Sequence, residues 1–112
     1  MSDQNPDLLA TAQALENLRD TLQAAKESET DPDKYAAIND QLIEVHHRVA
    51  EVGSLIFSQR SQAISDAAAK IEAAQADVDA AIAKIESVTH FISTISSFLG
   101  LVDKVISVAK LA

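Results

Sequence analysis

From Ile64 onward an apolar residue recurs every seven positions: Ile64, Ile71, Val78, Ile85, Ile92, Leu99 and Ile106. Three residues after each stands a second row, Ala67, Ala74, Ala81, Val88, Ile95, Val102 and Ala109. All fourteen positions are apolar against a background of 47%, a regularity that chance does not produce. A period near 3.5 held over this length is the signature of a helix burying one stripe against a partner helix, with a left-handed wrap. Only two Gly and two Pro interrupt the chain of 112 residues, and alanine is abundant. Few breakers and many strong helix formers favour long helices over sheets.

Two start signals repeat almost letter for letter, Asn5-Pro6-Asp7 and Asp31-Pro32-Asp33. The Asx side chain caps free backbone N–H groups, and Pro supplies a preset φ where its missing N–H costs nothing. The following acid then sits at the positive helix end. Helix 1 is therefore expected over 6–28 and helix 2 over 32–60, after a disordered stretch at 1–5. Leu8, Leu15 and Leu22, with Leu18 and Ala25, form the apolar face of helix 1. In helix 2 the rows are Tyr35, Leu42, Val49, Ile56 and Ile38, Val45, Val52. A short connector implies antiparallel packing of the two.

Helix 3 is expected over 62–110. The step from Ile56 to Ile64 is eight rather than seven, and Ser58-Gln59-Arg60-Ser61-Gln62 lies between the seams. A turn there gives three helices. Without Gly or Pro in 54–99, continuity or a mild bend is the favoured expectation. The expected fold is all-α: one domain over 6–112, an elongated hairpin or three-helix bundle, coiled-coil-like and oligomeric. A helix over 62–110 is about 73 Å long at roughly 1.5 Å per residue, twice helix 1. Unless the chain folds back, its seam needs a second chain, and Gly100 is the one obvious break.

Residues 63–83 are nearly half alanine, a thin helix that lets a neighbour approach closely. From Val88 the apolar pattern widens, and Ser87–Val102 contains no formal charge. The expected interface is Ile85, Val88, Phe91, Ile92, Ile95, Phe98, Leu99, Val102 and Ile106. Membrane contact is the alternative for this segment. Its serines dilute the surface, its uncharged run is shorter than the roughly 20 residues of a spanning helix, and it lacks a Lys- and Arg-rich polar face. Burial within a bundle is therefore favoured over lipid. In pattern alone, a long helical hairpin with one apolar end resembles alpha-helical pore-forming toxins and bundle-forming assembly proteins. That likeness rests on no motif and assigns no residue.

The net charge is −8, and its acidic bias sits in the first half: residues 1–60 carry eleven acids and five bases, residues 61–112 six and four. With bases scattered singly, nucleic acid is a poor partner. There is no Cys, hence no disulfide or thiolate metal site. The polar, acidic start Met1-Ser2-Asp3-Gln4-Asn5 is unlike a secretory signal, so cytoplasmic residence is the expectation, with peripheral membrane association as its alternative.

Glu44 and His47 have the Glu-x-x-His spacing of di-iron bundles, but both fall on the outer face of helix 2 and no second such pair exists. His46 borders the core. Glu86 and His90 likewise read as surface. The pairs Glu44–Arg48 and Asp66–Lys70 have favourable helix spacing. No phosphate loop, nucleophile elbow or zinc-protease pair occurs. The expectation is a non-enzymatic, self-associating scaffold without cofactor, metal or small-molecule substrate. The alternatives are a membrane-active helical protein using 88–109 and a small immunity- or chaperone-like protein that docks on a different protein.

Overall fold

Both Asx-Pro-Asp signals start helices. In the computed structural model, which describes residues 3–111, α1 is Pro6–Ser28 and α2 is Pro32–Ser54. Asn5 Oδ1 accepts from the Asp7 and Leu8 N–H groups at 2.9 and 3.2 Å, and Asp31 Oδ1 accepts from Asp33 and Lys34 at 2.9 and 3.0 Å. Asn5 does more than cap. Its Nδ2 donates to the carbonyls of Ser58 and Gln59, and its backbone N–H donates to Ile56 O at 2.7 Å. The expected disorder of 1–5 is thus corrected at Asn5, which is buried and holds the far connector; Met1 and Ser2 lie outside the described residues.

Helix 2 ends at Ser54, not near residue 60, and continuity into helix 3 is not found. Residues 55–61 form a connector. Leu55 packs partly against the core, and Ser61 opens α3 (Gln62–Ala83) by accepting from Ile64 N–H at 3.1 Å. The expected single helix over 62–110 is also corrected. It breaks after Ala83, and α4 runs Val88–Leu111. Ser87 caps this second start: its Oγ accepts from His90 N–H at 3.1 Å and its carbonyl from Phe91 N–H at 3.0 Å. The stretch Ile85–Thr89 holds three β-branched residues and a serine, all middling helix formers. Breaking there costs little and lets both apolar stripes be covered from within the chain. Gly100, the one obvious break point in the sequence, lies inside α4.

All regular structure among the described residues is helical. The four helices pack with α1 against α2 and α3, and α4 against α2 and α3. The hairpins α1/α2 and α3/α4 are antiparallel. α2 and α4 run parallel, since Arg48 and Glu51 near the end of α2 meet Asp103 and Lys110 near the end of α4. The α2–α3 connector must therefore cross the bundle end diagonally, over Asn5. The molecule measures 48 × 21 × 18 Å, well short of a 73 Å helix. Leu8, Leu15, Leu22, Ile38, Val45, Ile64, Ile95 and Val102 form the fully buried centre. Each such side chain contributes roughly 1.5–3 kcal/mol.

Candidate interaction surface

Of the nine expected interface residues, Phe91, Ile95, Phe98, Leu99, Val102 and Ile106 lie in the core of the same chain. Ile85 and Val88 are half-buried against it, and Ile92 is 38% exposed. This seam is therefore no open surface: folding back at residues 84–87 covers it with the chain's own helices. The break also widens the buried stripe. In α4 the seam residues Ile95, Leu99, Val102, Ile106 and Ala109 stay buried and Phe91, Phe98 and Val105 join them, while Ile92 turns outward.

What α4 leaves open is the opposite stripe. At 100° per residue, Ser93, Ser97, Gly100 and Lys104 stand across the helix axis from that buried row, and all are exposed. His90 continues the stripe toward the hairpin turn, where exposed Glu86 follows. Beside it runs a groove of about 570 Å³ between α3 and α4, lined on one side by Ala81 and Lys84 and on the other by His90, Ser93 and Ser97. Other helices wear charges on their solvent faces: Glu16 and Asp20 on α1, Glu44 and Glu51 on α2, Asp66, Lys70 and Asp77 on α3. From Ser87 to Val102, α4 has none on any side.

The single-chain fold gives no reason for this composition. Serine costs about 0.5 kcal/mol and glycine about 1 kcal/mol relative to alanine inside a helix. Thr94 does satisfy its hydroxyl, donating to the His90 carbonyl at 3.0 Å. Gly100 has no positive φ, and no neighbour lies within 4 Å of where its Cβ would stand. Alanine would fit there and favour the helix.

The facing of α4 is set by its ties to α2. Arg48 donates to both carboxylate oxygens of Asp103, from Nε at 2.8 Å and Nη2 at 3.0 Å, and from Nη1 to Glu44 at 2.9 Å. Asp103 above all holds the guanidinium pKa above its ordinary value, against partial burial. Lys110 reaches Glu51 at 3.5 Å. Together with the core row, these pairs fix which stripe looks outward. The expected Glu44–Arg48 pair is present, whereas Asp66 accepts from Gln62 Nε2 at 2.7 Å.

The histidines are placed singly. His46, His47 and Glu44 are exposed on α2, and His90 and Glu86 line the α3/α4 groove. Among the described residues no group of three or more His, Asp or Glu is arranged to hold a metal. The sequence shows part of the outer stripe as small residues four apart, Ser93 and Ser97, with Ser96 and Gly100 beside them, a spacing that permits close helix packing. The full stripe follows a repeat of 3 and 4 through His90, Ser93, Ser97, Gly100 and Lys104. Fold and surface define a four-helix bundle in which the outer face of one helix carries no charge from Val88 to Val102. Protein-family models, curated proteins and solved structures give no match to this chain.

Proposed function

We propose that this protein is a non-enzymatic helical interaction protein that self-associates through α4, helix against helix in a coiled-coil-like seam. One observation carries the reading: α4 is uncharged on its exposed side as well as its buried side from Ser87 to Val102. A helix face that remains in water gains from charged residues, whereas a face that meets another helix is depleted of them. The test is solution mass by light scattering on a sizing column over a dilution series. The expected result is a concentration-dependent rise to a multiple of 11.9 kDa. A monomer at every concentration would remove the reading.

A second reading has its own support. α4 has 24 residues, enough to cross a membrane, and a mean hydropathy of 1.5 over its most apolar 18-residue stretch, of which 39% is buried. In that case the α3/α4 hairpin opens on contact with lipid and turns the core row outward. Protein that stays at the bottom of a flotation gradient with neutral vesicles, at neutral and mildly acidic pH, counts against it.

A further inference from the structure

α1 and α3 lie side by side, and a groove follows their seam along the bundle. Toward the start of both helices it opens to about 550 Å³ over Ala10, Ala68 and Ala69. Toward their ends it opens to about 400 Å³ over Ala24, Ala83 and Ile85. Between these stretches a pit of about 70 Å³ passes between the helices to Leu18, Val78 and the ring of Phe98. From Asp7 to Glu29 the groove is about 33 Å long at roughly 1.5 Å per residue.

Every charge lining this groove is negative. Asp7, Glu29, Glu72 and Asp79 border it, and among the described residues no Lys, Arg or His does. The bases of these helices turn elsewhere. Lys26 lies over the Tyr35 ring of α2 at 5.6 Å, Lys84 lines the groove between α3 and α4, and Arg19 pairs with Asp20. Lys70 stands about 200° around α3 from Glu72. Between α2 and α4 the acids are neutralised within the chain: Glu44 and Asp103 share Arg48, and Glu51 meets Lys110. Glu72 and Asp79 are exposed and join no ion pair among the described residues, so their field is left for a partner.

The shape of the groove narrows that partner further. An extended segment finds no backbone partners on α1 and α3, whose N–H and C=O groups are spent within the helices, whereas a helix brings its own. The pit has roughly half of the ~150 Å³ that accepts a benzene ring, so it suits an aliphatic side chain rather than an aromatic one. Glu72 and Asp79 are seven residues apart and flank Gln75 at the pit. A second copy would bring its net charge of −8 to an acidic rim, and an anionic membrane or a nucleic acid is repelled in the same way.

We infer that the α1/α3 groove receives a basic amphipathic helix of a partner protein, with a leucine-sized side chain in the pit and two Lys or Arg residues, seven apart, on Glu72 and Asp79. The site lies on helices other than α4 and stands whether or not α4 pairs with a second copy.

The probe is a fluorescein-labelled alanine-based helical peptide with two lysines seven apart and one leucine between them on the same face. It is titrated with the full-length protein and followed by anisotropy. Saturable binding is expected, about tenfold weaker when the peptide's leucine is replaced by alanine and no tighter when it is replaced by phenylalanine. Glu72→Lys with Asp79→Lys is expected to weaken binding about tenfold. Glu16→Lys with Asp20→Lys, the same change of charge on the far side of α1, is expected to weaken it no more than about twofold. Circular dichroism checks that both variants fold. If the first does not, Glu72→Gln with Asp79→Asn takes its place and is expected to weaken binding in the same direction by less. No binding, an affinity indifferent to the leucine, or equal loss from the two pairs of substitutions overturns the docking.

Discussion

Asn5 joins two distant parts of the chain through one side chain. Its oxygen caps α1 while its amide nitrogen holds the carbonyls of Ser58 and Gln59, more than fifty residues away. Asn is suited to this because it has an acceptor at one corner and two donors at the other. Asn5→Ala removes the cap, worth about 1 kcal/mol, and leaves connector carbonyls unpartnered, which costs about 1–2 kcal/mol more. Asn5→Ser keeps the cap and loses the donors. Urea unfolding is expected to order the proteins wild type, then Asn5→Ser, then Asn5→Ala. Equal stability of wild type and Asn5→Ser would mean that the connector bonds contribute nothing. The capping half of this role was legible in Asn5-Pro6-Asp7. The connector half was not, because it depends on the α2–α3 crossing lying over the start of α1.

At the scale of the element, α4 is oriented by its core row and by Arg48. The Arg48 side chain is 17% exposed and engages Asp103 through two nitrogens, a geometry that single-contact surface pairs lack. A double-mutant cycle with Arg48→Met and Asp103→Asn is expected to give a coupling of about 0.5–1 kcal/mol, falling as salt rises. A coupling of zero would leave the rotation of α4 to packing alone. Only half of this cluster could be read from sequence. Glu44–Arg48 follows from spacing by four, but Asp103 is 55 positions from Arg48 and meets it because α2 and α4 lie side by side. The break at 84–87 was missed for a related reason. Ser87 is a competent cap, but an isolated serine among helix formers is no stronger a signal than many others in this chain.

For the whole molecule, the decisive event is that the fourth helix turns back on the third. A continuous helix over 62–110 would place Ile92 and Leu99 on one seam and make them equivalent. The folded chain separates them, leaving Ile92 38% exposed and Leu99 3%. Leu99→Asp buries an unpaired carboxylate at a cost of several kcal/mol and is expected to unfold the protein. Ile92→Asp is expected to change stability by no more than about 1 kcal/mol. Circular dichroism with thermal melting checks both. Equal damage from the two would return Ile92 to the core and refute the fold-back.

The sequence by itself determined that the chain is helical, where α1 and α2 begin, and most of the residues of α1, α2 and α3 that face inward, although Tyr35, expected in the inner row of α2, is 43% exposed and Ile56 falls in the connector. Those properties follow from capping chemistry, propensity and period, all of which act within a few turns. Only the tertiary structure decided where the last helix breaks, which stripe of it is spent on the core, and which is left facing out. The apolar stripe of α4 is broad enough to be buried from more than one direction, as Phe91 inside and Ile92 outside show. The choice among those directions depends on covering α3 and α4 together, and that is settled by the packing of four helices rather than by any local run of residues.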